Sequence, residues 1–78
     1  MKRIVIYTTP DCPFCTMAKE FFQEHRLPYE EKDVLSDRAA REEMVQKSGQ
    51  LGVPVILVDD VVIVGFDRPR LTRLLGID

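Results

Sequence analysis

The sequence predicts a single α/β domain in which four strands form a mixed sheet with helices on both faces. Apolar or β-branched runs alternate with amphipathic stretches in the order β-α-β-α-β-β-α, and 78 residues suffice for one domain. The Asp59-Asp60 pair separates two adjacent β-branched runs, which is typical of a tight hairpin. We therefore expect a parallel βαβ unit first, with a right-handed crossover, and an antiparallel hairpin after it.

The first strand and the first helix follow from a change of periodicity near residue 10. Lys2 to Thr8 is predicted as a buried strand because Ile4 to Tyr7 is a continuous apolar run. Pro13 fits the first turn of a helix, where its missing N–H costs nothing. This helix should reach about Glu24 or His25. Its apolar positions recur at helical spacing: Met17, Ala18, Phe21 and Phe22.

The middle of the chain predicts a second strand and a second helix. Tyr29 to Val34 is interpreted as a strand. Ser36 or Asp37 can cap a helix from about Arg38 to Ser48. Gly49 then supplies a C-terminal stop.

The last third predicts the hairpin and a short final helix. The segment VPVILVDD is predicted as the third strand and VVIVGF as the fourth. Asp67 can cap the final helix, and Pro69 lies in its first turn. The inward positions of that helix are Leu71, Leu74 and Leu75.

Composition and charge narrow the possible functions. The chain is 45% hydrophobic and 31% charged, with a formal net charge of -2, so no basic surface is expected for nucleic acid or anionic lipid. The apolar run near the N-terminus is too short for a signal peptide or a membrane span. We therefore expect a cytoplasmic monomer in a reducing compartment, where a permanent disulfide is not favoured.

The two cysteines lie in the motif CPFC, at the junction of the first strand and the first helix. A helix start presents unpaired N–H groups and the positive end of the helix dipole. Cys12, at the cap position, can accept from the N–H groups of Phe14 and Cys15, which should lower the pKa of its thiol. Lys19, two turns along, would add positive potential, whereas Asp11 would oppose it if its carboxylate points inward.

The two-residue spacing also fits thiol–disulfide exchange. An exposed Cys12 would attack a substrate disulfide, and Cys15, one turn into the helix, would then attack Cys12 and release the reduced substrate. Phe14 should face solvent and a partner. A CxxC pair in a βαβ context favours redox use.

Metal binding is the alternative for this pair. A structural zinc site needs about four ligands, and the chain offers two cysteines and the single histidine, His25. Two thiolates can hold Cu(I), so a soft-metal carrier stays open. Its fold would end in a βαβ half rather than in a hairpin and a helix.

Pro54, before the third strand, allows two interpretations. It can simply open a strand. Alternatively, the Val53–Pro54 bond is cis, which would leave the N–H and C=O of Val53 free to pair with an extended thiol substrate.

With YTTPDCPFC, REEMVQKSG, GVP and VGFD in order, the chain resembles the glutaredoxins over essentially its whole length. The resemblance implies a thioredoxin-like fold, reduction of protein disulfides or glutathione mixed disulfides, and no tightly bound cofactor. It implies glutathione as co-substrate, Cys12 as nucleophile and Cys15 as resolving cysteine. It also implies a cis Pro54 and places Lys19 near the thiolate.

The resemblance implies some of the glutathione contacts of the family, but several positions of this sequence depart from the family pattern. It implies that the Val53 backbone pairs with the glutathione cysteine and that Asp67, after Gly65, holds the glutamyl amino group. Thr9 stands where the family often has a lysine or arginine, and Arg68 replaces an acidic residue. Val64 departs from the usual glycine pair, and Arg41 or Arg70 would have to supply the missing positive charge.

The segment GFDRP is also similar to the hydrogen-donor redoxins of ribonucleotide reductase. That resemblance implies electrons from thioredoxin reductase and poor glutathione binding. Some glutaredoxin relatives instead bridge an iron–sulfur cluster, chiefly those without a second cysteine. The electron donor therefore stays open at this point.

Overall fold

The computed structural model describes residues 2–77, and the helices and strands follow the predicted order. They are β1 (Ile4–Thr8), α1 (Pro13–Glu24), β2 (Glu30–Asp33), α2 (Arg38–Ser48), β3 (Val55–Val58), β4 (Val61–Val64) and α3 (Arg68–Leu75). The strands lie in the order β2-β1-β3-β4. β1 is parallel to β2 and antiparallel to β3, and β3 is antiparallel to β4. The predicted four-stranded mixed sheet is confirmed.

Helices cover both faces of this sheet, as predicted. α1 and α3 pack on one face, where their buried side chains Ala18, Phe21, Phe22 and Leu71 meet Ile4, Ile6, Ile56, Val58 and Ile63. α2 covers the other face with Ala40 and Met44, which meet Val5, Tyr7, Val34, Val55 and Leu57. Successive residues of β1 therefore serve opposite cores, which is why its apolar run is continuous.

The strands are shorter than the sequence predicts. The first begins at Ile4 rather than Lys2, and the second covers Glu30–Asp33 rather than Tyr29 to Val34. β3 begins after Pro54, which has no N–H to give to the ladder. β4 ends at Val64 because the chain turns at Gly65, with φ 84°.

The register brings three chain segments to one edge of the sheet. Tyr7 faces Val55, and Val55 faces Val64. The residues after β1, before β3 and after β4 therefore meet at this edge, which also receives the start of α1. We call it the cysteine edge. Within residues 2–77, no helix is both long enough and apolar enough to cross a membrane.

Candidate active site at the cysteine edge

Cys12 is the N-cap residue of α1. Its backbone is extended, with φ -122° and ψ 103°, and its Sγ accepts a hydrogen bond from the Cys15 N–H at 3.1 Å. The expected second donor, the N–H of Phe14, makes no such bond in the part of the chain that the structure describes. The sulfur is bonded to Cys15, which draws it toward the third residue of the helix rather than the second.

Cys12 and Cys15 form a disulfide, with their Cα atoms 5.1 Å apart. Cys12 is 9% exposed and Cys15 1%. The expectation of an exposed Cys12 is therefore wrong for this oxidised form, in which the residue is bonded to Cys15 and almost wholly covered. Cys12 is still the more accessible of the two, which is the order that an entering and a resolving cysteine need.

The Val53–Pro54 peptide bond is cis. The Pro54 carbonyl accepts from the Gly65 N–H at 2.8 Å, which joins the start of β3 to the turn after β4. Neither the N–H nor the C=O of Val53 has a hydrogen-bond partner among residues 2–77. The half-buried Val53 thus offers a free donor and acceptor at the cysteine edge.

Asp67 caps α3 at the same edge. Its Oδ1 accepts from the Arg70 N–H at 3.2 Å, as the sequence predicts for a cap. Phe66, just before it, packs edge-on against Phe21 with ring centroids 5.8 Å apart. The cap and this aromatic contact fix the chain between Gly65 and α3.

Lys19 is bound to β2 rather than left free beside the cysteines. Its Nζ donates to Glu31 Oε2 at 2.9 Å, and the buried Thr8 hydroxyl donates to the same oxygen at 2.9 Å. The hydrogen bond from Lys19 holds the pKa of the Glu31 carboxyl below its usual value, and the bond from Thr8 acts in the same direction. Glu31 is not predictable from the sequence, since only the parallel β1–β2 register brings it to α1.

Two exposed apolar side chains lie at this edge, Phe14 at the start of α1 and Val64 at the end of β4. Phe14 is 60% exposed, in agreement with the expectation that it faces solvent. Among residues 2–77, the other large exposed apolar side chains are Met17, Leu35, Leu51 and Val64. Leu35 and Leu51 are not identified from the sequence, although each lies in a loop where an apolar residue has no periodic reason to occur.

Arg41 and Arg70 are the two residues expected to replace the positive charge that is missing at Thr9. They lie on different helices. Arg41 lies on α2, beside Leu51 in a shallow groove. Arg70 lies on α3 and is exposed. Arg68, which replaces an acidic residue of the family, places its guanidinium 5.4 Å from the centre of the Phe21 ring.

Within residues 2–77, potential metal ligands do not gather near the cysteines. Among the described residues, no group of three or more histidine, cysteine, aspartate or glutamate side chains could hold a metal ion. His25 is the C-cap residue of α1 and lies edge-on to Phe21, with ring centroids 4.7 Å apart. The last three elements of the described residues are a hairpin followed by a helix, not the βαβ half of the soft-metal alternative.

Comparison with known proteins gives one consistent family. A glutaredoxin family model matches residues 4–63. A glutaredoxin-like 8.6 kDa protein from the rubredoxin operon of Clostridium pasteurianum, itself uncharacterised, is 40% identical over 72 residues, which cover 92% of this chain and 96% of that protein. A mutant of the thioredoxin-like protein BC3987 has a TM-score of 0.92 at 38% identity, with both chains fully covered. The glutaredoxin-like NrdH-redoxin of Escherichia coli, described as having a thioredoxin-like activity profile, has a TM-score of 0.80 at 29% identity, with 92% of this chain and 93% of that chain covered.

Proposed function

The chain belongs to the glutaredoxin family, and from this premise we propose that it reduces disulfides by a dithiol mechanism through Cys12 and Cys15. The observation that carries the proposal is the pair itself: a cysteine at a helix N-cap, bonded to a more deeply buried cysteine one turn later. The present form is the oxidised end of the cycle. A reductant must open it before the next substrate can react.

The cycle transfers two electrons in two exchanges. The Cys12 thiolate attacks one sulfur of the substrate disulfide, and the other substrate sulfur leaves as a thiolate that takes up a proton. Cys15 loses its proton and attacks Cys12 Sγ, which breaks the mixed disulfide and releases the second substrate thiol. The helix N–H groups favour the charged sulfur of Cys12 at the start of each cycle.

The backbone of Val53 is the proposed docking point for the substrate. Its unpaired N–H and C=O can bond an extended segment on either side of the reacting sulfur, in the manner of an added strand. Because these bonds use only backbone atoms, they would accept glutathione or a peptide equally. The Pro54 carbonyl is already bonded to Gly65, so this part of the edge is fixed before the substrate arrives.

Glutathione is the proposed electron donor. Asp67 uses one carboxylate oxygen to cap α3, which leaves the other for the glutamyl amino group of glutathione. Gly65, which has no side chain, leaves space beside it. Two molecules of glutathione would then return Cys12 and Cys15 to the dithiol form.

Thioredoxin reductase is the second candidate donor, and three observations favour it. The positive charge expected at the position of Thr9 is missing, and Arg68 lies over Phe21 where the family has an acidic residue. The NrdH-redoxin that this chain resembles also has a thioredoxin-like activity profile. A protein donor would not need the charged contacts of the glutathione carboxylates.

The donor is tested by mixing oxidised protein with NADPH and a disulfide-bonded protein substrate. One arm contains glutathione and glutathione reductase, and the other contains thioredoxin reductase. We expect NADPH to be consumed in the glutathione arm. Turnover confined to the other arm would make thioredoxin reductase the donor.

The cysteine roles are tested by trapping. Cys15→Ser should accumulate a mixed disulfide with the substrate, visible as added mass that a reductant removes. Cys12→Ser, the matched control, should trap nothing and turn over no substrate. Trapping by the second variant instead of the first would reverse the roles.

A further inference from the structure

The cluster of Thr8, Lys19 and Glu31 lies beside the active-site turn and is not used by the exchange cycle. Thr8 is the last residue of β1 and is buried, so its hydroxyl cannot move far. The Thr8 hydroxyl and the Lys19 ammonium both donate to Glu31 Oε2 at 2.9 Å. Glu31 is thereby fixed on the α1 face of the sheet, next to its β1 partner Ile6.

Lys19 is on the same side of α1 as Cys12. Seven residues are close to two helical turns, which corresponds to about 10 Å along the axis. Side chains of a helix lean toward its N-terminus, so an unrestrained lysine ammonium at this position can extend toward the cap. In the structure it extends to β2 instead, because the Glu31 carboxylate binds it.

We propose that Glu31 is a positioning residue that holds the Lys19 ammonium on β2 and so limits how strongly that charge stabilises the Cys12 thiolate. The inference rests on the proposed role of Cys12 as the attacking cysteine. Glu31 touches neither the sulfur atoms nor the substrate; it acts through Lys19. The hydrogen bonds from Lys19 and Thr8 lower the pKa of the Glu31 carboxyl, which favours the ionised carboxylate that the pair needs.

Asp33 on β2 is the other charged group that acts on Glu31, while Asp11 precedes Cys12 and Asp67 and Arg68 lie at the start of α3. They are unchanged in the variants below, so their contribution to the pKa of Cys12 cancels in each comparison. The difference between variants then reports the pair alone.

The test measures the pKa of the reduced Cys12 thiol from the pH profile of its alkylation by iodoacetamide. In Glu31→Gln the ammonium loses its counter-charge and can approach the cap. We expect the pKa of Cys12 to fall by about half a unit, the size of one partly screened charge, with about threefold faster alkylation below the pKa. Lys19→Met leaves the Glu31 charge unbalanced and should raise the pKa by a similar amount.

Three further variants separate this role from a structural one. The double change Lys19→Met with Glu31→Gln should return the pKa to near the original value, because the net charge is restored. Lys19→Arg keeps the charge and should change little. Glu30→Gln is the matched control: it removes the same charge from the neighbouring β2 residue, which pairs with Arg3 on the opposite face, and should leave the pKa unchanged.

Equal profiles for Glu31→Gln and the original chain, or shifts of the same sign in both single variants, would overturn the inference. The proposed function would fail by a different observation, namely turnover or trapping by Cys12→Ser. The two failures are therefore distinguishable.

Discussion

The N-termini of α1 and α2 are capped with the same geometry by side chains of different chemistry. At α1 the Cys12 sulfur accepts from the N–H three residues on, at 3.1 Å, and at α2 the Asp37 carboxylate accepts from Ala40, also three residues on, at 3.1 Å. Both cap residues have extended backbones, with φ of -122° and -115°. The two helices therefore hold their N-cap side chains in the same position relative to the first helical turn.

The side chain in that position decides what the N–H groups are used for. A carboxylate is already ionised at neutral pH, so its hydrogen bond with the helix N–H stabilises the fold without changing its ionisation state. A thiol with its ordinary pKa of about 8.5 is largely neutral at neutral pH, so the same N–H stabilises an ionised, reactive form that would otherwise be scarce. We infer that α2 uses its cap for stability and α1 uses its cap for reactivity.

Exchanging one cap for the other gives the largest predicted effect. Cys12→Asp should lower disulfide reduction to the uncatalysed rate, because a carboxylate cannot form a mixed disulfide. The fold should keep its cap, so the reduced variant should be about 1 kcal/mol more stable to urea than Cys12→Ala. Equal stability of the two variants would mean that α1 gains nothing from a cap.

α3 tests whether a carboxylate cap can also serve the substrate. Asp67→Asn keeps a cap acceptor but loses the charge, so the glutathione KM should rise about three- to tenfold while urea stability changes little. Asp67→Ala should raise the KM similarly and also lose about 1 kcal/mol of stability. An unchanged KM in Asp67→Asn would make this residue a cap alone, like Asp37.

The cap of α2 should affect stability without affecting turnover. Asp37→Ala leaves the Ala40 N–H without its acceptor, and about 1 kcal/mol of unfolding free energy should be lost. Asp37→Asn is the matched control and should stay within a few tenths of 1 kcal/mol. A large fall in kcat/KM for either variant, measured at a temperature well below the midpoint of unfolding, would contradict the inference that α2 uses its cap only for stability.

The order of elements was predictable because each has a clear periodicity and a stop signal. Pro13 and Asp67 mark helix starts that the structure confirms, and Gly49 ends α2 with φ 75°. The strand ends were not predictable to the residue, since hydrogen bonding between strands decides where Ile4 begins β1. Local pattern therefore gives the elements, and pairing gives their ends.

The candidate site was predictable where it depends on neighbours in sequence. The N-cap position of Cys12 and the capping by Asp67 follow from residues within one helical turn. The low exposure of Cys12 and the partner of Lys19 do not, because both depend on segments brought together by the fold. Glu31 reaches Lys19 only through the parallel pairing of β2 with β1.

The smallest predicted effect is a loss of folding stability in acid, and it concerns the contacts that Glu43 of α2 makes with the sheet. Glu43 accepts from Lys32 at 2.8 Å and from the buried Tyr7 hydroxyl, and the bond from Lys32 is the main reason that the pKa of the Glu43 carboxyl is below its usual value. Burial raises the pKa of the Tyr7 phenol, so Tyr7 stays a neutral donor. These contacts join α2 to β1 and β2, on the face of the sheet opposite to α1.

A carboxyl whose pKa is lower in the folded state stabilises the fold above its unfolded pKa, near 4.3, and loses that contribution as pH falls through the folded pKa. Urea unfolding at pH 6 and at pH 3 should therefore show a loss of stability on acidification that is smaller in Glu43→Gln than in the original chain. The difference should be well under about 1 kcal/mol, because Glu43 and Lys32 are partly exposed. An acid loss of the same size in both chains would mean that α2 is held by its cap and its apolar face alone, which would make the stability role of Asp37 the larger one.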